Sequence, residues 1–496
     1  MESEQDFGPY LPWEARLERA SAMFSKESSV KFRSDSMDGM FESLSRTLLA
    51  RVESVYGPLY AYSAGTGPYE WQKVLNILFE KKCVKAPRVY FAPPFNDEPK
   101  IIMASLASEI DAHALGGHPL AGMASFGASF DVKTAVSKAI GEFVERYSLL
   151  HWKNYPSVTA SEAELRRRRK RFLSPGALAG AAGTHIDEHA PLQWVEGRGL
   201  FTGAKGLLPA GFVFWNYHPL PKEPSLVEAN TNGAGGMFTL EGALLSGIRE
   251  LIQRDAFLIF WLNTIAPPRV EQSSLEGNAR VVADQLYRYR FDFEILDITT
   301  DLELPAFAAV LLDGEHESRG AYIGAGCEGN PEAAIARALE EALLVYHNAR
   351  RGTHGVSLPE PYIPFTTPLG HHERIQLWAN PAMFPRFKWF IGGKKISFGD
   401  IKNRCRAFAS PAEEYAFIVH ELKKRGPGYE VYYYAAPHPI LKELGYHAVK
   451  VIIPDLIPLY LRETRANLNG RRLREVPQRL GYNEAAFPNP LPHPFP

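Results

Sequence analysis

The chain has 496 residues, 45% hydrophobic and 22% charged, and a formal net charge of −1. This content suits a globular protein of one large or two to three ordinary domains and excludes a disordered or fibrous chain. A charge so near zero supplies no bulk field for drawing in nucleic acid or an anionic membrane.

Cys83, Cys327 and Cys405 lie far apart and form no CxxC pair. Neither a disulfide framework nor a structural zinc site is therefore expected, and a reducing compartment fits. The first twenty residues are acidic and lack the apolar stretch of a signal peptide. No window approaches the roughly eighteen apolar residues of a membrane span. The expectation is a cytoplasmic protein with no nucleic-acid or membrane partner.

In chain order, residues 1–60 read as a helical extension, with Leu17, Met23, Met40, Leu44 and Leu48 at roughly helical spacing. From Pro58 to Pro119, short apolar runs at 88–92 and 101–103 alternate with Pro and Gly breaks and read as strands and loops. The stretch ASFGASFD at 124–131 reads as a small-residue loop, followed by a helix from Val132 to about Trp152 with Asp131 as its cap. On that helix Val136, Ala139, Ile140, Phe143, Val144 and Tyr147 form the buried stripe, and Glu142, Glu145 and Arg146 meet on one face. The basic run at 166–171 follows a capping pattern at Ser161–Glu164 and reads as a solvated helix face.

The same design returns twice. ANTNGAGGMF at 229–238 leads into a helix capped by Thr239 and running to about Leu262, with Glu250, Gln253 and Arg254 at i, i+3 and i+4. GAGCEGNP at 324–331 leads into a helix capped by Asn330, with Pro331 at its first position and Arg337 and Glu341 at i, i+4. A single such helix reads as ordinary surface ion pairing, worth about 0.5 kcal/mol per pair. Three, each behind a small-residue loop, point elsewhere. Loop and helix-start N–H groups suit phosphates, converging carboxylates suit Mg²⁺, and arginines offset the remaining phosphate charge. The residues alone therefore suggest a nucleotide–Mg²⁺ site. It is not a phosphate-loop site, because GGKK at 392–395 lacks the required frame. The segment 352–376, rich in Gly, Pro, Thr and His, reads as an exposed loop in which His371, His372 and Glu373 lack metal-site spacing.

These three units resemble the YcaO family. SFGAS at 125–129 lies where that family has SxGKG, thirteen residues before the EFVER that matches its ExxER. ANTNG, TLE at 239–241 and ELIQRDA at 250–256 match its second unit, and RALEEA at 337–342 its third. The resemblance covers residue 60 onward. It implies an α+β fold of mixed sheets flanked by long helices, and an ATP and Mg²⁺ site without a kinase motif. Carried over by position, Glu142, Glu145 and Glu250 would be metal ligands. Ser125, Gly127, Arg146, Asn232, Gln253, Arg254, Arg337 and Glu341 would hold nucleotide phosphates or the metal shell. The chain departs from the pattern at Ala128, Ser129, Gly242 and Leu344, each removing one ATP contact.

The last residues place prolines at 488, 490, 492, 494 and 496, which force an extended, polyproline-like rod. Azoline-forming members of the family end in PxPxP, and the resemblance implies that this rod enters the active site. Pro496, through a terminal carboxylate, and His493 are then the catalytic candidates.

What the resemblance implies is ATP-dependent cyclodehydration. A Cys, Ser or Thr side chain of a ribosomally made precursor peptide attacks the preceding carbonyl. The oxyanion is phosphorylated, and phosphate leaves a thiazoline or oxazoline. The alternatives are an external nucleophile, giving a thioamide or amidine, or a non-catalytic peptide-binding scaffold. With no E1-like domain recognisable, a separate leader-binding protein (E1-like or ThiF-like) is expected. A flavin-dependent azoline dehydrogenase and a homodimer are also compatible with the resemblance. The expected organisation is an extension over 1–60, an ATP-binding domain over 61–487 and a proline-rich tail over 488–496.

Overall fold

The computed structural model describes residues 71–83, 88–92, 94, 97–110, 122–178, 186–227, 230–315, 318–351, 356–483 and 485–495. The expected extension at 1–60 and the terminal Pro496 lie outside them. The architecture is mixed helix and sheet, as expected.

Three sheets carry it. β1 (Arg88–Ala92), β2 (Ile102–Glu109) and β3 (Gly122–Ser129) form an antiparallel sheet in that order. β4 (Val158–Ala160), β5 (Leu192–Gly199), β6 (Lys205–Pro209), β7 (Ala234–Met237), β13 (Tyr432–Ala435) and β14 (His447–Ile452) form the second. Its order is β4-β5-β13-β14-β7, with β6 on β5. The third runs β11-β10-β9-β8-β12 and comprises β8 (Arg269–Val270), β9 (Asp292–Asp297), β10 (Ala306–Glu315), β11 (Ser318–Cys327) and β12 (Lys395–Ile396). All its pairings are antiparallel except β12 on β8.

Alternation places the third sheet between two cores. Ala306, Ala308, Val310 and Leu312 face one apolar cluster, and Phe307, Ala309 and Leu311 face the other. A period-two strand buried on both faces must do this.

The helices used below are α1 (Trp71–Glu80), α2 (Val132–Leu150), α3 (Glu162–Arg167), α4 (Leu240–Leu262), α5 (Gly277–Arg288), α6 (Pro331–Arg351), α7 (His371–Trp378), α8 (Pro411–Lys424) and α9 (Arg471–Arg479). One long helix lies on each sheet: α2 on β2 and β3, α4 on β7 and β14, and α6 on β10 and β11. The caps agree with the sequence. Asp131 accepts from Thr134 N, Thr239 from Gly242 N, and Asn330 from the backbone of Glu332 and Ala333. Among the described residues no helix is long and apolar enough to cross a membrane.

Three expectations need correcting. The small-residue segments ahead of the helices are largely strands, not loops: 124–129 lies in β3, 234–237 is β7 and 324–327 ends β11. α2 ends at Leu150 and a 3₁₀ turn covers Trp152–Asn154. His371, His372 and Glu373 open a helix and do not lie in a loop.

Candidate active site

The corrected strands explain the glycines. A Cβ on Gly127 would lie 2.1 Å from the Ala135 carbonyl oxygen and one on Gly235 2.2 Å from that of Ala243. On Gly326 it would lie 2.1 Å from the Ala334 oxygen. Each glycine lets its strand touch the first turns of its own helix, eight residues downstream in every case.

The helices repeat further. Glu142, Glu250 and Glu341 each stand fifteen residues after their glycine, and each accepts a backbone N–H from the strand or the turn before it. Phe126 N donates to Glu142 at 2.6 Å, Gly233 N to Glu250 at 3.1 Å and Ala325 N to Glu341 at 2.7 Å. In the first two units an arginine follows at i+4: Arg146 pairs with Glu142 at 2.7 Å and Arg254 with Glu250 at 3.6 Å. Arg146 also donates to the Ala124 carbonyl at 2.9 Å. The third unit has Val345 there, and its arginine, Arg337, stands one turn earlier.

The units converge electrostatically. Burial, then the charges of Glu250 and Glu142, push Glu145 up to about 8. Burial also raises Glu250, against the opposing charges of Arg254, Lys450 and Arg337. Arg337 pairs with Glu328 at 2.8 Å, and its charge acts on Glu341 and Glu250. Lys450, on β14 opposite Ala234, lies near Glu250 and Glu145 and is pulled down to about 8 by burial. Its Nζ donates to the Asn230 carbonyl at 2.8 Å.

The structure thus brings together Glu142, Glu145, Glu250, Arg146, Arg254, Arg337 and Glu341, with Gln253 buried on the same helix as Glu250. Asn232 flanks Glu250's donor Gly233, and its own Nδ2 donates to the Leu459 carbonyl at 2.5 Å. Ser125 and Gly127 do different work. The Ser125 hydroxyl is fully buried and donates to the Ala139 carbonyl at 2.6 Å, and Gly127 is spent on helix contact.

Mg²⁺ and a phosphate chain fit these residues. Burial first, and then the charges of Glu250 and Glu142, raise Glu145 to about 8, and a divalent cation nearby would counter both. Among the described residues no three His, Cys, Asp or Glu side chains enclose a metal unaided. Mg²⁺ does not require that, because it typically takes one or two carboxylates plus phosphate and water. Arg254 Nε and Nη1 and Arg146 Nε are buried without a hydrogen-bond partner, as anion ligands would be before their anion binds.

The proline-rich segment docks against α4. Proline carbonyls have no ladder to join, and aromatic donors take them. Tyr362 OH donates to Pro490 O at 2.7 Å, Trp261 Nε1 to Leu491 O at 3.2 Å and Trp378 Nε1 to Pro492 O at 3.0 Å. Asn489 closes the end of α4, its N donating to Leu262 O at 2.7 Å and its Nδ2 to Trp261 O at 3.2 Å. His493 is fully buried. Its ring lies 2.9 Å from the Tyr460 carbonyl through Nε2, and burial and then Arg374 hold it well below the usual imidazole range. Phe495, also fully buried, packs on Phe257 and under Arg254.

Sequence reasoning missed Lys450 and Arg374, and weighed His371 only as a metal ligand. Lys450 carried a signal, a lone charge inside the apolar run AVKVII at 448–453.

Residues 126–457 match the family described as YcaO cyclodehydratase, ATP- and Mg²⁺-binding. An uncharacterized protein of Methanothermobacter thermautotrophicus is 25% identical over 346 residues, covering 68% of this chain and 82% of that protein. An uncharacterized protein in the tfuA 3′ region of Rhizobium leguminosarum bv. trifolii is 27% identical over 41% of this chain. This chain spans about half the length of that relative, at 50%. Among solved structures, a heterocyclase in complex with substrate and cofactor aligns with TM-score 0.64 and 22% identity, over 85% of this chain and 57% of that one. YcaO from Methanopyrus kandleri bound with AMPPCP and Mg²⁺ aligns with TM-score 0.56 and 19% identity, over 80% and 94%. The E. coli microcin synthetase McbBCD complex with pro-MccB17 bound aligns with TM-score 0.52 and 13% identity, over 77% and 92%.

Proposed function

This chain belongs to the YcaO cyclodehydratase family, and we propose that it converts Cys, Ser or Thr residues of a ribosomally made peptide to azolines with ATP. The observation that carries the reading is one of adjacency. The docked proline-rich segment brings Phe495 under Arg254, the same arginine that pairs with the candidate metal ligand Glu250.

In this reading Glu142, Glu145 and Glu250 would hold Mg²⁺, which would supply positive charge against the phosphates. Arg146 and Arg254 would offer their unpaired N–H groups to the phosphate being transferred, with Arg337 and Glu341 holding phosphate or the metal shell. The backbone N–H bonds to Glu142, Glu250 and Glu341 hold each carboxylate before the cation arrives. Lys450 serves as a resident positive charge beside Glu145 and Glu250. The precursor peptide lies at the end of the docked segment, near His493, and a separate E1-like or ThiF-like protein delivers it. The similar structures include a heterocyclase in complex with substrate and a multi-protein synthetase with its pro-peptide bound, which supports a peptide substrate and a partner protein.

The test is to incubate the purified chain with Mg²⁺, ATP and synthetic peptides carrying a Gly-Cys or Gly-Ser pair, following phosphate release and peptide mass. Loss of one water per modified residue, coupled to phosphate release, supports the reading. Peptide bound without any turnover of ATP would leave a binding scaffold instead.

A further inference from the structure

Where the motif helices meet the docked segment, several polar atoms are buried with nothing to bond. They are Nε and Nη1 of Arg254, Nε of Arg146, Nδ1 of His371, Nδ1 of His493 and the Tyr460 hydroxyl. Buried polar atoms in folded proteins are nearly all paired. A cluster of orphans therefore marks a place that a ligand completes. The charges tie the cluster together: Arg374, Arg254 and Arg146 all act on His371, and Arg374, Arg254 and His371 act on His493.

Helix α7 shows why His371 is in this company. His371, Arg374 and Trp378 fall at i, i+3 and i+7, one face of the helix. Trp378 holds the Pro492 carbonyl at 3.0 Å, and fully buried Arg374 pairs with Glu463 at 3.4 Å. The face follows the docked segment: Arg374 lies 5.9 Å from the centre of the Tyr460 ring, which packs on His493 at 4.5 Å, and the charges of Arg254 and Arg146 act on His371.

We propose that His371 is a further catalytic residue, whose Nδ1 takes the proton of the substrate's amide nitrogen as phosphate departs. The assignment rests on the cyclodehydration reading above. Ring formation needs two deprotonations, one at the attacking side chain and one at the amide nitrogen. The second happens beside the leaving phosphate, and His371 stands among the arginines that would hold that phosphate. In the step, the N–H bond breaks toward Nδ1 and its electron pair forms the C=N bond. The C–O bond breaks, and its pair leaves on phosphate. The imidazolium then returns its proton to phosphate or solvent.

The surroundings also time the step. Burial, His372 and the cations Arg374, Arg254 and Arg146 hold the imidazole neutral, down to about 3, and His493 adds no negative charge. A phosphate seated between Arg146 and Arg254 would offset those cations, though not the burial, which is the larger cause, and so raise the imidazole part of the way. His371 is thus a better base with the phosphoryl group in place than without it.

The experiment uses the full chain with saturating Mg²⁺-ATP and a synthetic peptide carrying one Gly-Cys pair, counting phosphate and azoline separately. With His371→Ala and His371→Gln, azoline formation should fall about 100-fold. Phosphate release should fall much less, because the phosphorylated adduct still forms and is lost to water. Phosphate per azoline therefore rises, added imidazole partly restores His371→Ala, and Mg²⁺-ATP affinity and thermal midpoint stay at the wild-type value. Phosphate and azoline falling in parallel in both variants, or not falling, would overturn the assignment. A wild type that makes no azoline even when the leader-binding protein is supplied would sink the parent reading and this one with it. An active wild type matched by His371→Ala sinks this one alone.

Discussion

The guanidinium carbon of Arg254 lies 4.3 Å from the centre of the Phe495 ring, while Nη2 of the same side chain faces Glu250 at 3.6 Å. One arginine therefore faces a carboxylate of the candidate metal site and an aromatic ring of the docked segment at once. Replacing Phe495 with Ala removes that contact and the one with Phe257, and opens a cavity in the main core. The expected cost is about 3 kcal/mol, with peptide turnover falling further than Mg²⁺-ATP affinity. Chemical denaturation and nucleotide titration check this. Wild-type stability in the variant would mean that the segment is not seated in solution.

The carboxylate cluster predicts an unusual pH profile without Mg²⁺. Glu145 is raised from 4.5 to about 8 and Glu463 from 4.5 to about 7, each chiefly by burial. The folded chain holds protons that the unfolded chain releases, so this stability is present below the unfolded value and lost as pH climbs through the folded ones. Lys450 has the opposite sign. Its pKa falls from 10.5 to about 8, so stability recovers above that value. The thermal midpoint should therefore pass through a minimum at about pH 8. Mg²⁺-ATP should flatten the descending limb, because cation binding expels the proton from Glu145. Below about pH 6.5 the buried neutral imidazoles of His371, His438 and His493 oppose this loss, so a midpoint that rises steadily from about pH 7 to 8 contradicts the assignment.

The three strand glycines should be intolerant as a set. Gly127→Ala, Gly235→Ala and Gly326→Ala each drive a Cβ into a helix carbonyl. Each is expected to lower stability by about 3 kcal/mol or more. Gly176→Ala, whose nearest contact is a serine side chain at 3.7 Å, serves as the control. Urea midpoints decide it.

Asp255 follows Arg254 on α4 and turns the other way, into a buried pair with Arg472 of α9 at 2.7 Å. Arg472 also reaches Asp301 at 2.9 Å, and Asp255 accepts from Ile457 N at 3.0 Å. Asp255→Asn or Arg472→Met alone should each lower stability by about 3–5 kcal/mol, because a buried charge loses its partner. The double variant should lose clearly less than the sum. Additive losses in a double-mutant cycle would mean that the two side chains are not coupled.

The helices and their caps were legible because apolar residues at 3.6-residue spacing, plus Asp131, Thr239 and Asn330, are local signals. Glu142 and Glu250 were legible as the first members of matching i, i+3, i+4 charge sets, whereas Glu341 was seen only as the i+4 partner of Arg337. What sheet pairing decides was not legible. Lys450 meets Glu250 only because β14 pairs with β7, so that Lys450 stands opposite Ala234. The small residues of β3, β7 and β11 read as loop because their purpose, close approach of a helix, leaves no periodic trace. His371 and Arg374 were hidden by composition. Gly, Pro and Thr surround them, and only packing on the docked segment makes α7 helical enough to align their face.

The bonds from Asn489 to the carbonyls of Leu262 and Trp261 have a bearing on how α4 ends. A helix whose last carbonyls go unmet frays from that end, and Arg254 is only about two turns away. With Asn489 in place, that end is sealed. Without the segment the Leu262 carbonyl would lose its partner, whereas Trp261 O would keep Thr264 N and Phe260 O would keep Ile265 N. The segment thus seals the final carbonyl of the helix that carries Arg254, and its seating adds order at the last turn, where helices otherwise open first.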